Sequence, residues 1–268
     1  MPAPLNDLTP KEWVKFQKSW FVHNAPPRDK TKILHPASFP ESLAVEFIGF
    51  FTRKGMWVLY PMVGSGSTLI ACAMTGRNGI GIELSPYWAK IAETRLNEFK
   101  AQRNLFEDDP TEQRVIVADA REIDQIEIPL IDYVLTSPPY WDMLRWEGRF
   151  RQEARRAKGL PRYYSDDPRD LGNIKDYDQF LDELVRIYRK VADKMRSGAY
   201  MTIIVRNVKK GTRLYPLAWE LALRLRDFLE LMSERVWCQD EQKLNIYGYP
   251  STWVSISMHH YCLIFRKP

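Results

Sequence analysis

From residue 41 to the end of this chain, short apolar runs alternate with amphipathic stretches, and that rhythm restricts the fold more than any other feature. Residues 41–52 read as a helix with Leu43, Phe47 and Phe50 or Phe51 on one side, followed by an apolar strand over 56–60. Helix and strand then succeed each other over 67–75, 79–83 and 86–100, with two further strands at 114–118 and 133–136. Tyr177, Phe180, Leu181, Leu184, Tyr188, Val191 and Met195 recur at three- and four-residue spacing and mark an amphipathic helix. A strand over 200–206, a helix over 215–231 and a strand over 261–266 complete the series. Such alternation predicts an α/β fold with a mainly parallel sheet and helices on both faces.

Two segments stand outside the rhythm. Residues 1–30 read as an N-terminal helical arm, in which Thr9 caps, Pro10 occupies the first turn and Glu12 completes a capping box. Trp13, Phe16, Trp20 and Phe21 share its expected face. Residues 141–175 form a long insertion without a clean period, and such segments in compact domains are usually functional or disordered. The net charge of +5 concentrates there: seven basic residues face two acidic ones between residues 145 and 165, an excess equal to that of the whole chain. The 268 residues are expected to form one domain. The three cysteines are odd in number and lack a CxxC pair, which argues against a disulfide framework or a zinc site. No apolar run approaches the roughly 20 residues that span a bilayer, and no signal-peptide pattern opens the chain. The expectation is a cytoplasmic protein that needs neither metal nor membrane.

The first strand runs into Tyr60-Pro61-Met62-Val63-Gly64-Ser65-Gly66-Ser67-Thr68. Glycines between a strand and a helix let the backbone approach a ligand closely. The Gly-Lys-Ser/Thr ending of a phosphate loop is missing, and Leu69 stands where a dinucleotide fingerprint has its third glycine. Glu83, 19 residues after Gly64, ends the second strand at the distance where a carboxylate takes the hydroxyls of a ribose. Asp119 ends the third strand and can accept from an adenine amino group. Together they describe an adenosine site without a pyrophosphate.

Residues 133–136 lead into Thr136-Ser137-Pro138-Pro139-Tyr140. Two prolines fix φ and remove two donors, leaving rigidly aimed carbonyls. The Pro138 carbonyl and the Ser137 hydroxyl suit the hydrogens of an exocyclic base amino group, and Tyr140 can stack on a base taken out of its helix. Catalysis by orientation and dipole placement fits this loop better than a covalent intermediate.

The Ser-Pro-Pro-Tyr run downstream of Pro61-Met62-Val63-Gly64-Ser65-Gly66 resembles the N4-cytosine/N6-adenine DNA methylase family. His35-Pro36-Ala37-Ser38-Phe39-Pro40-Glu41 is similar to that family's cofactor motif, and the resemblance extends over most of residues 30–140 and the ending around His260-Tyr261-Cys262-Leu263-Ile264-Phe265. It implies a Rossmann-like class I methyltransferase with a seven-stranded sheet and S-adenosylmethionine as cofactor. The implied catalytic residues are Ser137, Pro138, Pro139 and Tyr140. The implied cofactor residues are His35, Pro36, Ser38, Tyr60, Pro61, Gly64, Gly66, Ser67, Thr68, Glu83, Asp119 and Thr136. In this family a serine at the first loop position goes with cytosine N4, and aspartate or asparagine with adenine N6. C5 methylation is disfavoured because no cysteine sits in a Pro-Cys turn. Where the family usually has Asp-Pro-Phe, this chain has Tyr60-Pro61-Met62, so either another residue takes over the aspartate's role or cofactor affinity is reduced.

The resemblance implies double-stranded DNA as substrate, in a bacterial or archaeal modification system with a cognate restriction endonuclease as candidate partner. By elimination the insertion at 141–175 is the expected target-recognition segment. Its candidate DNA contacts are Arg145, Arg149, Arg151, Arg155, Arg156 and Lys158, interleaved with Trp141, Trp146, Phe150, Tyr163 and Tyr164. A solvated surface helix is the other reading of 151–158. A second aromatic loop at 245–253, with Tyr247, Tyr249 and Trp253, either lines the base pocket or packs in the core. His259 and His260 read as structural. Alternatives are an N6-adenine enzyme, an RNA-directed enzyme and a non-catalytic nucleic-acid-binding subunit.

Overall fold

The computed structural model describes residues 4–24, 34–104, 111–145, 150–241, 244, 246 and 249–268. Its elements are α1 (Pro10–Phe16), β1 (Trp20–Val22), α2 (Glu41–Phe51), β2 (Trp57–Tyr60), α3 (Ser67–Thr75), β3 (Asn78–Glu83), α4 (Pro86–Asn104) and β4 (Gln113–Val117). The second half contributes β5 (Ile131–Thr136), α5 (Phe150–Ala157), α6 (Tyr177–Asp193), β6 (Met195–Val205), a hairpin of β7 (Val208–Lys210) and β8 (Arg213–Tyr215), α7 (Leu217–Leu225), β9 (Glu230–Cys238) and β10 (His259–Arg266).

One sheet in the order β1-β9-β10-β6-β5-β2-β3-β4 organises the molecule. All neighbours in it are parallel except β10, which runs antiparallel to both β6 and β9. The strands are apolar on both sides because both faces are covered. Leu59, Val134, Met201, Ile203 and Phe265 pack under α6 and α7, while Val58, Tyr133, Leu135, Ile204 and Ile264 pack under α2, α3 and α4. The chain winds outward from β2 through β3 to β4, then crosses back to β5 and β6. That reversal leaves a crevice outside the carboxyl ends of β2 and β5, where open α/β sheets bind their ligands.

The α/β architecture with a mainly parallel sheet is as the alternation predicts, and the structure amends it at both ends. The expected seven strands are present, and β1 adds an eighth, parallel to β9. The N-terminal arm is therefore a helix followed by a strand. The Thr9–Glu12 capping box forms, but Trp20 and Phe21 leave the helix and pair with Val236 and Trp237. Arg235 holds the arm down: its buried guanidinium lies 3.7 Å over the Phe16 ring and 4.3 Å over Phe21. The helix expected over 215–231 ends at Leu225, and Glu230–Cys238 is a strand. Pairing along the whole length of β10 makes this stretch a strand. Met195, counted on the amphipathic helix, instead opens β6.

Candidate active site

A cleft of about 590 Å³ opens at the switch point, and the glycine turn after β2 forms one wall. Gly64 has φ +53° and Gly66 φ +82°, the left-handed region that glycine occupies without strain. A Cβ on Gly64 would lie 2.8 Å from Nε2 of His35, and one on Gly66 would lie 3.0 Å from Cβ of Ala92 in α4. The turn thus brings backbone, imidazole and helix closer together than any side chain permits.

Glu83 sits opposite. Its Oε2 accepts from the Gly64 amide at 2.8 Å and its Oε1 from the Ser85 amide at 3.0 Å. Burial pushes the carboxyl up to about 7 even though both amides, and that of Leu84, pull it down; the neighbouring Asp170 adds to the rise. A carboxylate this poor in solvation gains from two further hydroxyl donors, so the site fits a ribose diol. Asp119 is buried at the rim, accepting from the Arg121 amide at 2.9 Å and pairing with its guanidinium at 3.0 Å. A carboxylate has lone pairs beyond those used there.

His35, Ser38, Tyr60, Pro61, Gly64, Ser67, Glu83 and Asp119 all line the cleft, as do Ser137, Pro138, Pro139 and Tyr140. Four residues assigned to the cofactor stand behind that wall instead. Gly66 is packed against α4, Thr68 is buried inside α3, Thr136 is buried as the last residue of β5, and Pro36 lies outside the lining. Gly66, Thr68 and Thr136 support the turns that carry the lining residues. Ser67 donates to Glu41 at 3.0 Å, and Arg95 ties Glu41 to the Ser65 carbonyl, so this network also braces the glycine turn.

The Ser-Pro-Pro-Tyr loop closes on itself and on the glycine strand. Ser137 Oγ lies 3.2 Å from the Tyr140 hydroxyl, which also reaches the Ile204 carbonyl at 3.4 Å. Tyr60 donates to the Ser137 carbonyl at 3.4 Å. Burial raises both phenols above their ordinary range, so they remain donors. Nothing among the described residues donates to the Pro138 carbonyl. Trp141 follows at φ +55°, a strained conformation for a bulky residue, and is held by Tyr177 and Tyr215 at ring distances of 5.4 and 4.7 Å. It is thus part of the core and is not available to stack on bases.

The structure also brings in residues that the sequence did not single out. At the Glu83 end, Trp88 Nε1 donates to the Tyr164 carbonyl at 2.7 Å, and the His35 ring lies 4.7 Å from Trp88 and 5.4 Å from Tyr164. Buried Asp170 accepts from the Gly172 amide and the Ser165 hydroxyl, both at 2.8 Å. The latter part of the insertion therefore closes the cleft. Its charge reverses after residue 165, where Asp166, Asp167 and Asp170 follow, and that change was the available signal. At the opposite end, Trp237 and His260 stack at 4.7 Å, His260 lies 5.9 Å from Tyr140, and the Arg206 guanidinium sits 5.8 Å from the Tyr140 ring. His260, read as structural, is a wall of the cleft.

The basic candidates divide. Arg145 is consumed within the insertion, bonding Asn173, the Ser165 carbonyl and Asp166 under the Tyr163 ring. Arg155 is buried and donates to the carbonyls of Pro161 and Leu34, at 2.6 Å each. Arg155 thus serves the fold, whereas Arg145 stays partly exposed. Arg156 and Lys158 are exposed. Arg149, Trp146 and the side chains of Arg151 and Phe150 lie outside the described residues. Tyr249 and Trp253 are neither cleft nor core, being 81% and 86% exposed, and Asn245 and Tyr247 lie outside the described residues. Among the described residues no cluster of His, Cys, Asp and Glu could hold a metal, and no helix is long and apolar enough to cross a membrane.

Residues 6–94 match a family model described as DNA methylase. Segments of the chain are similar to the type II methyltransferase M.MthZI of Methanothermobacter thermautotrophicus, at 44% identity over 62 residues, which is 23% of this chain and 18% of that protein. Type II methyltransferase M.BglI of Bacillus subtilis is 32% identical over 101 residues, 37% of this chain and 28% of its own length. Orphan methyltransferase M.BamHII of Bacillus amyloliquefaciens is 38% identical over 77 residues, 29% of each chain. The matches thus span less than a third of these relatives. Across 87% of the chain the fold resembles all of a Clostridium thermocellum protein described as an rRNA methylase candidate, with a TM-score of 0.51. At 10% identity that likeness shows the class I methyltransferase fold alone.

Proposed function

We propose that this chain is an S-adenosylmethionine-dependent DNA methyltransferase of the N4-cytosine/N6-adenine family, acting on the N4 amino group of cytosine. The premise is its match to the DNA methylase family over residues 6–94. The observation that carries the reading is the joining of two sites in one cleft: the nucleoside wall of Gly64 and Glu83 and the Ser137–Tyr140 loop meet where Tyr60 bonds Ser137. Ser137 supports cytosine over adenine.

S-adenosylmethionine, when bound, supplies an electrophilic methyl group on sulfur. The residues of the cleft bind and orient. Glu83 as carboxylate would accept hydrogen bonds from the ribose hydroxyls, Asp119 from the adenine amino group, and the close-packed Gly64 turn would admit the amino-acid end. The Ser137 hydroxyl and the Pro138 carbonyl accept hydrogen bonds from the target amino group, which turns its nitrogen lone pair out of conjugation with the ring. Tyr140, kept protonated and fixed by Ser137 and Ile204, offers its ring to the flipped base. Because all of these groups are prepositioned, the rate comes from orientation. Exposed Arg156 and Lys158 contact DNA phosphates in this reading. The type II methyltransferases among its relatives support a role in host-DNA modification with a cognate restriction endonuclease.

The test is to incubate the protein with labelled S-adenosylmethionine and unmethylated genomic DNA or RNA, then identify the modified nucleoside by mass spectrometry. N4-methylcytosine is expected in DNA. N6-methyladenine would overturn the use made of Ser137, and no product on any polymer would favour a binding subunit.

A further inference from the structure

The loop between β9 and β10 leaves and returns at one point. The Gln239 amide donates to the Met258 carbonyl at 2.7 Å, closing its neck, and Asn24 donates to Asp240 at 2.8 Å beside it. The neck stands at the carboxyl edge of the sheet, where Gln239 and His260 line the end of the cleft that holds Tyr140. Beyond it the loop carries Leu244, Ile246, Tyr249 and Trp253, at 74%, 84%, 81% and 86% exposure the four most exposed large apolar side chains among the described residues. Apolar exposure concentrated in one loop marks a contact surface.

The β7–β8 hairpin joins this loop to the catalytic loop. Lys209 Nζ donates to Ser255 Oγ at 2.7 Å and to the Ser255 carbonyl. Lys210 bonds Asp142 at 3.3 Å, two residues after Tyr140, and lies 4.5 Å from the Trp141 ring. Arg213 projects from the exposed end of the same hairpin. Lys210 and Lys209 thus link the catalytic loop to Ser255, two residues after the exposed Trp253, and cations beside exposed aromatics suit a phosphate backbone with bases next to it. At the other end of the cleft Trp88 donates to the Tyr164 carbonyl at 2.7 Å, and both line the cleft with Asp170.

We infer that duplex DNA docks on the surface formed by the β7–β8 hairpin with Leu244, Ile246, Tyr249 and Trp253, the hairpin meeting phosphates and Tyr249 and Trp253 stacking against bases next to the one that enters the cleft. This rests on the proposed function and names the face through which the substrate is engaged. Side chains of this kind stabilise the gap left by a flipped base.

The experiment compares the full chain with Tyr249→Ala/Trp253→Ala and with Arg213→Glu. Binding of a fluorescein-labelled random-sequence duplex is followed by anisotropy over a salt series, alongside methyl transfer to unmethylated genomic DNA. S-adenosylhomocysteine affinity without DNA and sedimentation are measured on the same samples. The double variant is expected to bind DNA about tenfold or more weakly, with cofactor affinity unchanged. Arg213→Glu is expected to lower the salt slope by about 1 to 2. DNA binding and methylation equal to the original chain in both variants would overturn the surface while leaving the function standing. A variant that shifts the sedimenting species without weakening DNA binding would assign the loop to a second copy instead. Failure of the original chain to bind or methylate any DNA would remove the proposed function, and this inference with it.

Discussion

The hydroxyl of Tyr60, the last residue of β2, donates to the carbonyl of Ser137, the first residue past β5, at 3.4 Å and across 77 positions of sequence. The bond ties the strand that carries the glycine turn to the loop proposed to hold the target amino group. Tyr60→Phe removes only that tie. A hydrogen bond of this kind contributes about 0.5–1.5 kcal/mol, so kcat is expected to fall roughly 2- to 10-fold with a smaller change in cofactor affinity. Steady-state kinetics with calorimetry of S-adenosylhomocysteine binding check the split.

Glu83 is expected to give the proposed cofactor site a pH dependence. Its carboxyl stands near 7 in the free protein, and the hydroxyl donors of a ribose favour the ionised form. S-adenosylhomocysteine affinity is expected to fall about tenfold from pH 8 to pH 6, as a proton must be released on binding. Glu83→Gln is expected to bind more weakly and to flatten the profile. Calorimetry across that range would reject the assignment if the wild-type affinity did not change with pH.

Stability without ligand follows the same group in the opposite sense. The folded-state value lies above the ordinary 4.5, so the stabilisation linked to Glu83 is complete below 4.5 and is lost as pH rises towards 7 and beyond. Up to about 3 kcal/mol is involved. Glu83→Gln is therefore expected to gain on the parent at pH 8 relative to pH 5 in urea denaturation at the two values.

Gly64→Ala combines a left-handed φ with a contact of 2.8 Å on His35. A loss of about 1–3 kcal/mol in stability and of cofactor binding is expected. His35→Ala in the same chain relieves the contact but not the backbone strain, so only part of the loss should return. Equal stability of Gly64→Ala and the parent in urea would refute the close packing of the turn.

Arg155 and its neighbours separate structural from substrate-facing charge. Arg155→Ala removes the bonds of a buried guanidinium to the carbonyls of Pro161 and Leu34 and is expected to cost about 1–3 kcal/mol in stability. Arg156→Ala/Lys158→Ala is expected to change stability by less than about 0.5 kcal/mol per site while lowering the salt slope of DNA binding by about 2. Thermal unfolding and salt-dependent binding on both variants distinguish the roles.

The alternation of strands and helices, the glycine turn, Glu83 and the Ser-Pro-Pro-Tyr run were legible in the sequence because each is local. Hydrophobic period, turn chemistry and a fixed strand-to-acid spacing are written in neighbouring residues, so the winding of the sheet and the place of its crevice followed. What only the tertiary structure decided are pairings between distant segments. Whether 230–238 is helix or strand depends on β10 lying beside it, and Trp20–Val22 becomes a strand only because β9 offers an edge and Arg235 clamps the rings next to it. The same holds at the site: the period-free stretch around Tyr164 and Asp170 gains its role by folding back on Trp88 and His35, and His260 gains its own by stacking on Trp237 near Tyr140. Charge counted along the chain did not reveal which arginines are consumed inside the fold, since Arg155 and Arg156 differ only in which face of α5 they leave from, one against the carbonyls of Leu34 and Pro161 and the other into solvent.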